Sequence, residues 1–223
     1  MKQQAKISEA VVRRLPLYLQ ALNELSRSEV QTVSSQELGR KLDLNPAQIR
    51  KDLAYFGEFG RKGIGYDVSY LIGKIRHILK LDRNINVALV GAGNLGQALC
   101  NYNRYSRDNM KIVAVFDSHP DKIGMMINTM RVQPMEELKA TVESLQIRIG
   151  IITVPAAAAQ KVADQLAEAG VEGILNFAPA ILKVPPSVRV HHADFTTELL
   201  SLAYYLEKDA DDGDDDEEDE VVD

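Results

Sequence analysis

A glycine-rich hexapeptide follows directly on an apolar run near the middle of this 223-residue chain. The apolar run is Ile85–Val90, and the hexapeptide with the spacing G-x-G-x-x-G consists of Gly91, Ala92, Gly93, Asn94, Leu95 and Gly96. In this spacing the first glycine permits a tight turn after a strand, the second leaves room for a pyrophosphate, and the third lets the next helix pack closely. The amides at the start of that helix, expected over Gln97–Tyr105, then face the phosphates. The segment predicts a dinucleotide-binding strand, turn and helix.

A carboxylate stands at the end of the next apolar run. Ile112–Phe116 predicts a second strand, and Asp117 follows it about twenty residues after Gly96. From this position a carboxylate accepts hydrogen bonds from the 2'-hydroxyl of the adenosine ribose and repels a 2'-phosphate. The spacing therefore favours NAD+ and NADH over NADP+ and NADPH.

Three later apolar runs continue the alternation of strands and helices. The strand candidates are Thr129–Val132, Ile149–Val154 and Gly173–Phe177. We expect helices to begin near Pro134 and, in an alanine-rich segment, to run from Pro155 to Ala169. Strands that alternate with helices in this way predict an α/β Rossmann domain with a parallel sheet.

The loop after one of these strands supplies further candidates for cofactor binding. Thr153, Val154 and Pro155 should lie at the carboxyl edge of the sheet, where a dinucleotide crosses it. A proline at this position is equally compatible with a simple helix start.

The first third of the chain has the periodicity of short helices. Apolar residues recur at helical spacing over Ser8–Leu25, although Pro16 should kink or restart this helix. Ser34 and Glu37 have the spacing of a capping box, in which each side chain bonds to the backbone amide of the other residue. We therefore expect a second, short helix after Ser34.

A third helix should follow a tight turn. Asn45 is a good N-cap and Pro46 suits the first helical position, so the helix should run to Phe56 with Ile49 and Leu53 facing inward. The opposite face carries side chains that can reach base edges and phosphates: Gln48, Arg50, Lys51 and Tyr55. Two short helices joined by a turn predict a helix-turn-helix in which the third helix enters the major groove of double-stranded DNA. A small helical packing domain with solvated charges is the alternative.

A glycine-rich basic segment, Phe59–Tyr66, follows the third helix. Its glycines permit a hairpin, and Arg61, Lys62 and Gly63 lie at the expected tip, where a wing contacts phosphates or the minor groove. A fourth amphipathic helix is expected over Val68–Leu81. The segment supports the DNA-binding interpretation.

Charge is unevenly distributed along the chain, whose net charge is -6. Residues 1–83 carry 15 Lys+Arg against 9 Asp+Glu, residues 84–206 carry 10 against 11, and residues 207–223 carry 1 against 12. The overall acidity therefore does not argue against nucleic-acid binding. We expect the acidic end, over residues 208–223, to be a disordered, solubilising tail.

Composition excludes several protein classes. No run of about 18 apolar residues exists and the N-terminus is polar, so we expect a cytoplasmic protein without a membrane partner. Cys100 has no second cysteine to pair with, and its apolar neighbours favour a small buried side chain over a reactive thiol. No spacing typical of a metal site appears, so we expect no metal.

Residues for enzyme catalysis are not evident. None of the four histidines has a local acidic residue that marks a catalytic pair, and His119, which follows Asp117 in a loop, is expected to face solvent. Tyr204 with Lys208 matches the Tyr-x-x-x-Lys of short-chain dehydrogenases only at the chain's end, which we interpret as coincidence. An NAD-dependent oxidoreductase with a helical accessory domain remains the main alternative. A regulator that senses another nucleotide, such as coenzyme A, is a third.

Nearly the whole chain, about residues 5–206, resembles the Rex family of redox-sensing transcriptional repressors. The segments that carry the resemblance are Asn45–Leu53, Gly60–Tyr66, Gly91–Gly96 and Asn176–Pro179. The resemblance implies a homodimer that binds a palindromic operator when NAD+ predominates and releases it when NADH binds.

The resemblance also implies roles for individual residues. The last helix, over Thr197–Glu207, would swap into the partner subunit, and Phe195 would lie near the partner's nicotinamide. Arg14, Tyr102 and Asp194 would couple the cofactor state to the DNA-binding domains.

These inferences predict a chain with four parts. They are a winged helix-turn-helix DNA-binding domain over 1–82, a Rossmann NAD(H)-binding domain over 85–190, a C-terminal dimerisation helix over 194–207 and the acidic tail over 208–223.

Overall fold

The computed structural model describes residues 7–55, 60–61, 65–102, 109–193 and 195–211. Internal contacts divide the chain into two compact units, with the boundary between Asn84 and Ile85. We describe each unit by itself.

Amphipathic helices build the first unit. They are α1 (Glu9–Arg27), α2 (Ser35–Leu42), α3 (Pro46–Ala54) and α4 (Val68–Ile78). Each buries an apolar stripe, which together form the core of this unit: Val11, Leu15, Leu22, Leu38, Ile49, Leu53, Leu71 and Ile75. The burial of these stripes is the main contribution to the stability of the unit.

The predicted starts of α2 and α3 are confirmed. Glu37 N donates to Ser34 Oγ at 3.1 Å and Ser34 N donates to Glu37 Oε2 at 2.7 Å, which completes the capping box of α2. Ala47 N donates to Asn45 Oδ1 at 2.8 Å, with Pro46 in the first turn of α3. These bonds satisfy amides that a helix start leaves unpaired.

Short antiparallel strands form the wing. β2 (Gly60–Arg61) and β3 (Gly65–Asp67) make the predicted hairpin, and β1 (Thr32–Val33) pairs with the other side of β3. Gly65 has a φ of 93°, and a Cβ on it would lie 2.7 Å from Val33 O, so only glycine fits here. The tip residues 62–64 lie outside the described residues. α3 ends at Ala54 and α4 at Ile78, so both helices are shorter than the predictions, which ended them at Phe56 and Leu81.

A mixed sheet forms the second unit. Its strands are β4 (Ile85–Val90), β5 (Met110–Asp117), β6 (Met126–Ile127), β7 (Met130–Pro134), β8 (Ile147–Ile152), β9 (Gly173–Asn176) and β10 (Arg189–His192). The spatial order is β10-β9-β8-β4-β5-β7-β6, and all neighbours are parallel except β6 and β7. Numbered among the parallel strands alone, this order is 3-2-1-4-5-6, the order of the doubly wound dinucleotide-binding fold. The predicted Rossmann fold is confirmed.

Helices and loops cover both faces of this sheet. The helices that contribute to its core are α5 (Asn94–Asn101), α6 (Leu138–Ser144) and α7 (Ala156–Glu168). A last helix, α8 (Phe195–Asp211), follows β10 and has exposed side chains. Alternate residues of β4 enter different apolar clusters: Ala88 and Val90 pack with Phe116 and Leu166, whereas Leu89 packs with the cluster on the other face. Burial on both faces of the sheet explains why the sequences of the central strands are continuously apolar.

Several strand boundaries differ from the sequence prediction. β7 extends through Pro134, which pairs with Asp117 at the end of β5. A 3-10 turn (Met135–Glu137) follows, and α6 begins at Leu138, four residues later than expected. The short strand β6 and the edge strand β10 were not predicted. β6 is only two residues long, and β10 consists mostly of exposed polar residues, so neither has the longer apolar run of the central strands.

Helix boundaries differ too. α1 continues through Pro16 without restarting, because Pro16 lies on the exposed side, where water can satisfy the Val12 carbonyl. The described part of α5 ends at Asn101, whereas Tyr105 lies outside the described residues. α8 begins at Phe195 and continues to Asp211, so the prediction of disorder from residue 208 is wrong for its first four residues. Within the described residues, no helix is long and apolar enough to cross a membrane.

Candidate dinucleotide site and DNA interface

The candidate dinucleotide site lies where the strand order reverses, between β4 and β8. Thr153 N donates to Val90 O at 2.9 Å, and Thr153 Oγ1 donates to Gly91 O at 2.8 Å. These bonds join the ends of the two strands at the crevice where this fold binds ligands. The Thr153 hydroxyl thereby holds the glycine loop in place.

The three glycines of the loop occupy different environments. Gly91 has a φ of 109°, and a Cβ on it would lie 2.7 Å from Thr153 O. A Cβ on Gly96 would collide with Gly91 O, so α5 packs against the loop too closely for any side chain at this position. A Cβ on Gly93 would meet nothing within 4 Å. The first and third glycines are required by the fold itself, whereas the second leaves open space, as the phosphate-binding interpretation expects.

The N-terminus of α5 is open. Gly93 is its N-cap and makes no side-chain capping bond, and the first turn contains no acidic residue. The side chains of Asn94 and Leu95 are exposed, while Gln97 Nε2 donates to Ala92 O at 3.1 Å. A helix start with uncapped amides and a positive dipole end is suited to a phosphate group.

Asp117 lies at the carboxyl end of β5, buried beside the glycine loop. Its carboxylate accepts from Ala92 N at 2.8 Å, from His119 N at 2.8 Å and from Lys122 Nζ at 3.2 Å. Burial alone would raise the pKa of Asp117, but these hydrogen bonds outweigh it and lower the pKa. Asp117 is therefore ionised at neutral pH. A carboxylate offers about four acceptor positions, so one remains for a ribose hydroxyl.

The other loop residues predicted at this edge are less specific. Pro155 is the N-cap of α7 and is exposed, and Val154 is partly buried against the core. Pro155 thus starts a helix and also lies at the carboxyl edge of the sheet, as both interpretations required.

Sequence reasoning did not assign a role to Asn176, although its segment carried the family resemblance. This side chain is buried, and its amide donates to Ala178 O and Ala180 O, both at 3.0 Å, while Oδ1 accepts from Ala178 N at 3.0 Å. The amide also lies 3.1 Å from His192 Nδ1. Asn176 thus fixes the loop after β9 and ties it to β10. In the sequence, the feature that could have indicated this role is a polar residue within the apolar run of a predicted strand.

Cys100 and Tyr102 lie at the end of α5. Burial raises the pKa of the Cys100 thiol to about 11, so it is protonated at neutral pH and weakly nucleophilic. The packing role predicted for Cys100 agrees with this state. The ring of Tyr102, at the C-cap of α5, is about half exposed.

Helix α8 carries an apolar surface that is exposed within the described part of the chain. Phe195 is 73% exposed and Leu206 is 66% exposed. Further large apolar side chains of this helix are also exposed: Leu199, Leu200, Leu202 and Tyr204. Contiguous exposed apolar side chains on one helix are typical of an interface. Asp194, which precedes the helix, lies outside the described residues.

The candidate DNA interface is the outer face of α3. Arg50, Lys51 and Tyr55 are exposed, and Arg50 Nη1 donates to Ser35 Oγ at 3.0 Å. Gln48 is only partly exposed, because its amide turns inward to Asp52. On the wing, Arg61 lies in β2, whereas Lys62 and Gly63 lie outside the described residues.

A buried carboxylate on α3, that of Asp52, was missed as a site residue. Its oxygens accept from Arg14 Nε at 2.6 Å, Arg14 Nη2 at 2.9 Å, Tyr18 Oη at 2.7 Å and Gln48 Nε2 at 2.6 Å. Burial alone would raise the pKa of Asp52, but these bonds outweigh it and lower the pKa. In the sequence, the feature that could have indicated this role is a charged residue beside Ile49 and Leu53, on the side of the helix that was predicted to face inward.

Comparisons with known proteins agree with both units. Residues 82–180 match the family described as "CoA binding domain", and residues 6–54 match the family described as "Putative DNA-binding protein N-terminus". The chain is 60% identical over 206 residues to the redox-sensing transcriptional repressor Rex of Brevibacillus brevis, which covers 92% of this chain and 100% of that protein. It is 47% identical over 201 residues to the repressor of the same name from Roseiflexus sp., covering 90% and 91%.

Solved structures agree with the fold of the whole chain. The crystal structure of RSP in complex with β-NAD+ and operator DNA matches with a TM-score of 0.86 at 37% identity, covering 92% of this chain and 95% of that one. The crystal structure of RSP in complex with β-NADH matches with a TM-score of 0.83 at 36% identity, covering 92% and 96%.

Proposed function

Because the chain belongs to the Rex family of redox-sensing transcriptional repressors, we propose that it represses transcription by binding operator DNA and responds to the ratio of NADH to NAD+. In this proposal the operator is palindromic, the protein acts as a homodimer, and NADH releases the DNA. It works in the cytoplasm and without a membrane or metal partner.

The observation that carries the cofactor assignment is the open loop at the strand-order reversal. Gly93 leaves a space that any side chain would fill, and the start of α5, which has no side-chain cap within the described residues, faces it. The residues that would hold the cofactor are Gly91, Ala92, Gly93, Asn94, Leu95, Gly96, Asp117, Thr153, Val154 and Pro155. A pyrophosphate at the loop and a ribose at Asp117 fit this arrangement.

The match to a family described as "CoA binding domain" favours coenzyme A as a second candidate ligand. Coenzyme A carries a 3'-phosphate on the same ribose. The ionised carboxylate of Asp117 would repel that phosphate as it would repel a 2'-phosphate. The chemistry of the site therefore supports NADH and NAD+ over coenzyme A.

The outer face of α3 and the wing support operator binding. Arg50, Lys51 and Tyr55 present cationic and polar groups from a helix that follows a tight turn. We propose that these residues with Gln48 contact the major groove and that Arg61, Lys62 and Gly63 contact the backbone or the minor groove. A homodimer would place two such helices about 34–36 Å apart, in successive major grooves.

The exposed apolar face of α8 supports the dimer. We propose that this helix packs on the partner subunit and that Phe195 lies near the partner's nicotinamide. Arg14, Tyr102 and Asp194 would couple the cofactor state to the DNA-binding domains. NADH can release DNA only if it binds more tightly to a dimer geometry in which the two recognition helices miss their grooves.

We propose that the chain has no catalytic activity of its own. The main alternative is an NAD-dependent oxidoreductase. Conversion of NADH to NAD+ in the presence of small carbonyl compounds, abolished by a change in the glycine loop, would support that alternative.

The test of the proposed function is operator binding at one fixed salt concentration, because the affinity of proteins for DNA depends steeply on salt. Fluorescence anisotropy of a labelled palindromic site is measured with NADH, NAD+, coenzyme A or no ligand. We expect NADH alone to release the DNA. Unchanged affinity with NADH contradicts the proposal, and release by coenzyme A alone supports the second candidate.

A further inference from the structure

The amide of Gln48 has a fixed orientation. Gln48 Nε2 lies 2.6 Å from Asp52 Oδ1, one helical turn further along α3. An ionised carboxylate only accepts hydrogen bonds, so the NH2 end of the amide must face Asp52 and the carbonyl end must point away. Within the described residues, Gln48 Oε1 has no hydrogen-bond partner.

Asp52 itself is held in place by two side chains of α1. The Arg14 guanidinium binds it through two nitrogen atoms, and the buried Tyr18 hydroxyl donates to the same carboxylate. The side chain of Asp52 is completely buried. Because the carboxylate is ionised and satisfied in this geometry, a reversed Gln48 amide would bring Oε1 against a carboxylate oxygen. That arrangement is repulsive, so the orientation is strongly preferred.

Gln48 also has the right position to read a base. It is the third residue of α3, and the N-terminal residues of a recognition helix contact base edges in this type of DNA-binding domain. In the major groove, amino groups that donate hydrogen bonds belong to adenine and cytosine, whereas guanine and thymine present acceptors. An amide that points its oxygen outward therefore matches adenine or cytosine.

We propose that Gln48 reads a base amino group through Oε1 and that Asp52 is the positioning residue that fixes this preference. The proposal rests on the proposed operator binding. The proposal specifies the direction of one hydrogen bond, in which the base donates and Gln48 accepts. The same glutamine with its amide reversed would donate and would favour guanine or thymine.

The experiment begins with a palindromic site selected in vitro by the full-length protein. Each adenine and cytosine of both half-sites is replaced in turn by purine or by pyrimidin-2-one, which lack the exocyclic amino group. We expect one replacement to weaken binding of the unmodified protein about threefold to tenfold per half-site. In Gln48→Met, which cannot form the bond, this loss should disappear.

A conservative variant distinguishes the direction of the bond. Gln48→Glu keeps an acceptor and loses the donor, so the dependence on the amino group should survive even if overall affinity falls. Gln20→Met, the same chemical change on the exposed side of α1, serves as the matched control and should behave as the unmodified protein. The readout is the ratio of affinities for the native and amino-lacking sites, which a general loss of stability would not move.

The positioning role of Asp52 is tested by Asp52→Asn, in which the new amide can face either end of Gln48. The ratio of affinities for the native and amino-lacking sites should fall toward one. If this variant does not fold, the Gln48 variants at the surface still decide the proposal.

Two results would overturn the assignment. One is a ratio that Gln48→Met leaves unchanged at every position. The other is a ratio lost equally in Gln48→Glu and Gln48→Met, which would show that an acceptor oxygen at this position does not account for the dependence on the amino group. Failure to select any site would overturn the proposed function and this assignment with it.

Discussion

Ala92 N donates a hydrogen bond to Asp117 Oδ2 at 2.8 Å, and this bond links the glycine loop after β4 to the carboxylate at the end of β5. The two residues are 25 positions apart in the sequence. The bond places the predicted pyrophosphate and ribose contacts side by side, and it helps to keep the carboxylate ionised.

Asp117→Ser tests the origin of cofactor preference. Removal of the carboxylate removes both a ribose acceptor and the repulsion of a 2'-phosphate. We expect weaker NADH binding and a smaller ratio between the dissociation constants for NADPH and NADH, by about tenfold or more. Cofactor fluorescence during titration measures both constants. Asp121→Ser, an exposed neighbour, is the control, and an unchanged ratio in Asp117→Ser would refute the ribose role.

Two glycines of one loop should respond differently to the same added methyl group. In Gly93→Ala the Cβ meets no protein atom, so the melting temperature should stay close to that of the unmodified protein while NADH binding is lost. In Gly96→Ala the Cβ collides with Gly91 O, so the Rossmann unit itself should be destabilised. Calorimetry and NADH titration together check this. Equal loss of stability in both variants would contradict the assignment of Gly93 to the phosphate.

Asp52 should make the stability of the N-terminal unit depend on pH. Its pKa is lower in the folded state than the ordinary value of 3.8. The stabilisation is therefore fully present above that ordinary value, and it is lost as pH falls through the lower, folded-state pKa. We expect denaturant titrations to show falling stability below about pH 4.

The variant Asp52→Asn isolates this effect. It should lose about 3 kcal/mol at neutral pH, because Arg14 is left without its charged partner, and its acid dependence should be flatter. Asp43→Asn, an exposed carboxylate at the end of α2, is the control. If Asp52→Asn were as stable as the unmodified protein at pH 7, the buried ion pair would make no net contribution to the free energy of unfolding.

The apolar face of α8 should be required for assembly. A charge in place of Leu202 or Leu206 cannot be buried against a partner without a large desolvation cost. We expect Leu202→Glu and Leu206→Glu to shift the protein from dimer toward monomer in sedimentation velocity runs. Ser201→Glu, on the other side of the helix, should leave the assembly intact. Dimers of unchanged stability in both leucine variants would place the interface elsewhere.

Two cations of the DNA-binding unit should have separable effects. Lys51→Ala, on the outer face of α3, should relax base preference, because its partner is expected to be a base edge. Arg61→Ala, on the wing, should weaken binding about equally for all sequences and reduce the salt dependence. Binding to a panel of operator variants at several salt concentrations measures both. Equal effects of Lys51→Ala on every sequence would count against its place in the groove.

The sequence by itself determined the features that depend on residues close together in the chain. Ser34 with Glu37 and Asn45 with Pro46 specify helix starts through bonds between near neighbours, and these starts are found as expected. The glycine loop and the central strands were equally visible, because a buried parallel strand must be continuously apolar. The two-unit organisation and the Rossmann fold follow from such local patterns in series.

Tertiary structure alone decided which distant groups meet. Two partners of Asp52, Arg14 and Tyr18, come from α1, 38 and 34 positions away, and no local pattern indicates them. The edge strand β10 pairs with β9, and its His192 lies 3.1 Å from Asn176, contacts that its mostly polar sequence does not indicate. Long-range hydrogen bonds of this kind depend on the packing of whole elements, so their geometry appears only when the chain has folded.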